Sequence, residues 1–196
     1  IGDIGTTSFF PTKNLGCFGD GGALLTQNVE LGETINIIAN HGQREKYYHE
    51  KIGVNSRLDT IQAAILNVKL KYLGEYSIAR QKVAERYDEG LAEISELTIP
   101  VRASYSTHVF NQYTCRIANN RRDEFKLYLQ SNGIPSIIYY PDPVHLQDAY
   151  RIFGYQPRDF PIAEQLCKDV ISLPIHTEMK KDVQNYIIDK IISFFK

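Results

Sequence analysis

Ser8-Phe-Phe-Pro-Thr-Lys13-Asn-Leu-Gly16-Cys17-Phe-Gly19-Asp-Gly21-Gly22 is the stretch on which the reading of this chain turns. An apolar, β-branched run precedes Lys13 and a cluster of glycines follows it, which places the amine on a tight turn leaving a buried strand. A buried amine loses part of its preference for the charged form, and a neutral amine can attack a carbonyl to form a Schiff base. The same residues are compatible with a solvated lysine beside a glycine-rich turn. The glycines do not make a phosphate loop: Gly16, Gly19, Gly21 and Gly22 match neither a dinucleotide fingerprint nor a P-loop, in which the lysine follows the last glycine.

Working outward, Ile4 to Phe10 and Ala23 to Thr26 read as buried strands joined by a hairpin-like or crossing connection. Leu31, Ile35 and Ile38 keep helical spacing over residues 30–39. From Arg57, an apolar stripe of Leu58, Ile61, Ile65 and Val68 predicts a helix with Asp59 in its first turn, where negative charge suits the helix dipole. Ala79, Val83, Tyr87 and Leu91 predict a long helix over residues 75–94. Beyond Pro100 the units shorten: a strand over 109–117, a helix over 123–130 stopped by Gly133, a strand over 134–140 ended by Pro141 and Pro143, and a short helix over 162–168. A last amphipathic helix carries Val183, Ile187, Ile191 and Phe194. This is an α/β layer of its own. A boundary near residue 80 divides residues 1–80 from a smaller α/β domain, 81–196.

Composition narrows the function classes. At 196 residues, 43% apolar and 23% charged, the chain has the balance of a folded globular piece rather than a disordered one. A formal net charge of -1, with scattered lysines and arginines, leaves no footprint for nucleic acid or an anionic membrane. No apolar run approaches the roughly 20 residues of a membrane span, and no signal segment opens the chain. Cys17, Cys115 and Cys167 are odd in number and show no CxxC pairing, so reduced cytoplasmic thiols are the simplest reading. The five histidines show no metal-ligand spacing, and no metal is expected.

Four motifs in order carry a family resemblance: Ser8-Phe-Phe-Pro-Thr-Lys13, Gly19-Asp-Gly-Gly22, His41-Gly42 and Gly53-Val-Asn-Ser-Arg57-Leu-Asp-Thr-Ile-Gln62-Ala-Ala. Together with Gly133-Ile-Pro135, Tyr139-Tyr-Pro141 and Leu173-Pro-Ile-His176, the chain resembles the sugar aminotransferases of the DegT/DnrJ/EryC1/StrS type. Thr107-His-Val-Phe and Asn40-His-Gly are similar to members that aminate a UDP-linked 3-keto sugar, notably a uronate. The resemblance implies a fold-type I pyridoxal 5'-phosphate enzyme. Residues 1–80 would be the C-terminal part of its large cofactor domain, and 81–196 its small domain. With Ile1 at its start and a single Met, the chain is expected to be the second half of such an enzyme, inactive alone and binding cofactor weakly or not at all.

The resemblance also implies roles. Lys13 would hold pyridoxal phosphate and shuttle a proton, and Ser8 would donate its hydroxyl to the cofactor phosphate. Asn55 would reach the phosphate of a second subunit in a homodimer with shared sites. Arg57 would offer its planar fork to the donor, glutamate, or to the nucleotide sugar, and Tyr139 and Tyr140 would flank the sugar. Without the resemblance, Ser8 reads equally as a strand-end hydroxyl satisfying the turn, Arg57 as a partner of Asp59, and the tyrosines as strand packing. Tyr139 and Asn111 stand where many relatives carry histidine, which bears on the acceptor and not on the lysine chemistry. The implied activity is amino transfer to a keto nucleotide sugar for surface polysaccharide or lipopolysaccharide synthesis. The alternatives are a noncatalytic nucleotide-sugar-binding or assembly fragment and a related sugar dehydratase. Dehydratases of this type carry histidine at the lysine position, so Lys13 counts against the latter.

Overall fold

Strands β1 (Gly5–Ser8) and β2 (Gly22–Leu25) form an antiparallel hairpin in which Gly5 pairs with Leu25 and Ser8 with Gly22. The computed structural model describes residues 2–196. The connection is therefore a hairpin, but the strands are not buried: all four residues of β1 are exposed, as are Leu24 and Leu25 of β2. Two strands alone offer no second layer to cover their faces. Helix α1 (Val29–Ala39) starts at Asn28, whose Oδ1 accepts from Leu31 N–H at 3.0 Å, an N-cap that satisfies one of the helix's open donors. Ile37 is its buried residue, while Ile38 of the expected stripe is exposed.

A second antiparallel pair, β3 (Gln43–Glu45) and β4 (Tyr48–His49), follows. Helix α2 (Thr60–Leu70) begins later than expected: Asp59 is its N-cap, with Oδ1 accepting from Ile61 N–H at 2.8 Å, so residues 57–58 lie outside the helix. Leu66 is buried, and Leu58, Ile61 and Val68 of the expected stripe are exposed.

The chain divides into two compact units between Glu75 and Tyr76, in the first turn of helix α3 (Leu73–Leu91), earlier than the residue-80 boundary read from the sequence. In the second unit, β5 (Leu97–Thr98), β6 (Tyr113–Ile117) and β7 (Val170–Leu173) form an antiparallel sheet in the order β5-β6-β7. Tyr113, Cys115 and Ile117 of β6 alternate into the core while Arg116 faces outward, as the two-residue period of a strand requires. Helices α4 (Arg122–Ser131), α5 (Pro161–Asp169) and α6 (Lys181–Phe195) complete the unit. Their core residues include Phe125, Leu129, Ile187 and Ile191, with Val83, Tyr87 and Leu91 from α3.

Two expectations in this unit are corrected. Residues 109–112 precede β6 instead of belonging to it. Residues 134–140 are not a strand: only Ile137 pairs, exchanging backbone hydrogen bonds with Ser172 at 3.2 and 2.8 Å. Pro135 lacks the donor a ladder needs, and the Tyr139–Tyr140 peptide is cis.

Candidate active site

The loop between β1 and β2 holds Lys13 by backbone contacts. Lys13 N–H donates to Phe10 O at 2.9 Å, closing a turn, and the loop is crossed by Cys17 N–H to Phe9 O at 2.8 Å and Phe9 N–H to Gly21 O at 2.7 Å. A Cβ at Gly16 would stand 2.7 Å from both Phe10 O and Pro11 O, so the chain can cross there only as glycine. Helix α2 ties the loop from outside: Phe18 N–H donates to Gln62 Oε1 at 2.8 Å, and Lys69 Nζ donates to Gly16 O. Gln62 and Lys69 therefore shape the lysine loop, a role sequence reasoning missed because nothing in a helix pattern says which loop a side chain reaches. Lys13 is half-buried, and among the described residues no carboxylate forms an ion pair with its Nζ.

Ser8 is exposed at the end of β1, and its Oγ accepts from Phe10 N–H at 3.2 Å. Accepting leaves the hydroxyl proton free to donate elsewhere. Cys17 is fully buried with Sγ 3.0 Å from Phe9 O and 2.9 Å from Gly19 O, a structural position.

Asn55 and Arg57 meet directly: Arg57 Nε donates to Asn55 Oδ1 at 3.1 Å. No ion pair joins Arg57 to Asp59, whose carboxylate caps α2 instead. With Oδ1 accepting, the Asn55 amide is left with its two donors, and Arg57 keeps its terminal nitrogens. The pair sits at the base of the β3–β4 hairpin, where Asn40 bridges Asn55 and Gly42 crosses Gly53. At Gly42, φ is +74° and a Cβ would fall 1.7 Å from Lys51 O.

Within the second unit, Tyr139 lines a concave cavity of about 200 Å³ together with Asn111, Gln112, Ser136, Ser172 and Pro174. Its lining carries amides, hydroxyls and apolar faces but no charged side chain, a surface suited to an uncharged polar ring. Tyr140 is 66% exposed and does not line the cavity; it contacts Tyr139 edge to face at 5.6 Å. Behind the cavity, burial pushes the Tyr87 and Tyr113 hydroxyls and the Cys115 thiol up, so these groups stay protonated at neutral pH. Among the described residues, no helix is long and apolar enough to cross a membrane.

Residues 1–192 match the DegT/DnrJ/EryC1/StrS aminotransferase family. The chain is 42% identical to the "Pleiotropic regulatory protein" of Geobacillus stearothermophilus, over all of this chain and 54% of that protein. It is 40% identical to the "UDP-2-acetamido-2-deoxy-3-oxo-D-glucuronate aminotransferase" of Pseudomonas aeruginosa, over 90% of this chain and 47% of the relative. A solved structure of DesV from S. venezuelae, in complex with a ketimine intermediate, superposes with a TM-score of 0.92 at 38% identity, over 98% of this chain and 52% of the other. The chain thus spans about half the length of the curated relatives it matches.

Proposed function

The chain belongs to the DegT/DnrJ/EryC1/StrS aminotransferase family, and from that premise we propose that it supplies the reactive lysine of a pyridoxal phosphate-dependent enzyme. That enzyme moves an amino group, with glutamate as donor, onto a keto nucleotide sugar used for surface polysaccharide or lipopolysaccharide. The observation that carries the reading is Lys13 on a loop anchored by Gln62 and Lys69, with no carboxylate ion-paired to its amine among the described residues. Residues up to Glu75 are then the C-terminal part of the large domain, and residues from Tyr76 the small domain.

The donor set fits a phosphorylated aldehyde: an amine (Lys13), a hydroxyl with its proton free (Ser8), a carboxamide with both donors free (Asn55) and a guanidinium (Arg57), with no carboxylate among them. When bound, pyridoxal phosphate supplies the electron sink that stabilises negative charge on the carbon beside the substrate nitrogen. Lys13 Nζ would hold the cofactor covalently and, once released, would move a proton between that carbon and the cofactor's C4′. Ser8 Oγ and Asn55 Nδ2 would donate to the phosphate, and Arg57 would pair with a carboxylate or phosphate of the substrates. Asn55 would do so across a homodimer interface, so that a monomer is inactive. Tyr139 would place an aromatic edge against the sugar, and the printed name of the P. aeruginosa relative supports a UDP-linked 3-keto sugar as acceptor. The unpaired cysteines suit the cytoplasm.

The test is the visible absorption of the full-length protein with pyridoxal phosphate, beside a Lys13→Ala variant. A visible band that needs Lys13 and is bleached by glutamate is the expected result. Absence of a Lys13-dependent band overturns the reading and leaves nucleotide-sugar binding without catalysis as the function to pursue.

A further inference from the structure

We infer that Arg80 is a positioning residue for the acceptor cavity, holding its two lips at a fixed separation. The inference rests on the proposed reading of the Asn111–Tyr139 cavity as the sugar site. From the middle of α3, Arg80 Nη1 lies 3.0 Å from Phe110 O, 3.2 Å from Asn111 O and 3.2 Å from Ile175 O. Asn111 and Ile175 both line the cavity, so one guanidinium ties together two segments far apart in sequence. Among the described residues no acid pairs with Arg80, and burial alone lowers its pKa. An arginine with three carbonyl partners and no carboxylate is shaped to organise backbone, not to balance charge.

The neighbouring contacts run the same way. Gln81 Nε2 donates to His108 O at 3.0 Å, and Tyr87 Oη donates to Pro174 O at 2.9 Å, so α3 holds both lips at several points. Phe110, at φ +43°, is kept in that conformation by a hydrogen bond from its N–H to His108 Nδ1 at 3.0 Å and by stacking on the His108 ring at 4.1 Å. Its position presents Asn111 to the cavity. Because the lining has no charged side chain, selectivity there depends on the width and direction of amides and hydroxyls, which a shift of the lips would spoil.

The experiment compares Arg80→Met and Arg80→Lys with wild type in the full-length protein. The donor step is read from the Lys13-dependent band, the acceptor step from KM for a UDP-linked 3-keto sugar, and binding from calorimetry with UDP-N-acetylglucosamine as an unreactive probe. The expected result is an acceptor KM and probe Kd raised about tenfold in Arg80→Met, a much smaller change in the donor step, and partial rescue in Arg80→Lys. Unchanged acceptor KM and probe affinity in a folded variant overturn the inference, as does an equal loss in both steps. If Arg80→Met does not fold, the same readings on Arg80→Lys decide. A wild type that binds the probe but shows no Lys13-dependent band retires the aminotransferase reading and leaves the role of Arg80 to stand or fall on the calorimetry. A wild type that does not bind the probe overturns the inference itself.

Discussion

From Tyr76 onward, eighteen buried apolar residues form one connected core, running from Val83 and Tyr87 through the sheet to Ile187 and Ile191. Up to Glu75, the buried apolar residues among those described are Cys17, Ile37 and Leu66, while Phe18, Tyr47 and Ile52 stand 77%, 77% and 100% exposed. Apolar burial is worth about 25 cal/mol per Å², so the second unit is stabilised by its own packing. The first is shaped by caps, close glycine crossings and side chains that reach backbone carbonyls. The residues proposed for the chemistry, Lys13, Ser8, Asn55 and Arg57, all lie in the unit with the smaller core. Tight turns present donors outward, as a site needs, but bury little apolar surface in return.

The sharpest break of this contrast is a pair of truncations. Phe125→Ala removes a fully buried ring packed 5.0 and 5.3 Å from Phe194 and Phe195, and should lower stability in urea by about 3–5 kcal/mol. Ile52→Ser, at a fully exposed side chain, should change it by about 0.5 kcal/mol or less. Similar losses from both would show that the first unit holds its apolar residues as tightly as the second. Next in size, Gly42→Ala forces a Cβ onto Lys51 O at positive φ and should cost more than about 1 kcal/mol. That cost should appear as faster hydrogen exchange of residues 43–52 and weaker cofactor binding; unchanged exchange would show that the crossing at Gly42 and Gly53 does not shape the hairpin.

The smallest effect concerns acid. Burial opposes ionisation of Glu164, but the Arg158 N–H at 2.7 Å, the His145 ring at 3.2 Å and the Phe160 backbone together hold its carboxyl below the ordinary 4.5. A carboxyl that ionises more readily folded than unfolded adds stability above the unfolded value and loses it as pH falls through the folded one. Glu164→Gln should therefore slightly lower the neutral-pH urea midpoint and flatten the loss of stability below about pH 4.5, so that the two proteins converge in acid. An identical acid profile in both proteins would show that the carboxyl's hydrogen bonds are already lost before titration begins.

Much of the second unit was legible from local pattern. Val83, Tyr87 and Leu91 face the core as their spacing predicts, helices α4 and α5 lie within a residue of the expected ranges, and α6 carries Val183, Ile187, Ile191 and Phe194 as expected. Strand β7 was not legible, because a four-residue run after a helix, three apolar residues and a buried serine, carries no period of its own. The expected strand at 134–140 failed for the opposite reason: its β-branched residues suggest pairing, but Pro135 and the chain's single partner at Ser172 limit it to one bridge. In the first unit helix α2 exists but its facing was misread, since Ile61 and Val68 of the expected stripe are exposed and Leu66, outside that stripe, is the buried residue. The cap at Asp59 was visible only as an acid near a helix start: it precedes the first turn instead of standing in it.

For the site, the sequence by itself determined the family, the order of its motifs and the candidate donors, because these depend on residue type and spacing along the chain. Only the tertiary structure decided that Arg57 meets Asn55 and not Asp59, that Gln62 and Lys69 hold the lysine loop, and that Arg80 joins the 110–111 and 175 segments. Those contacts span sequence separations that no local pattern encodes. A guanidinium or ammonium on a helix surface reads the same whether it ends in water or on a distant carbonyl, and only the packed fold brings that carbonyl within 3 Å or so.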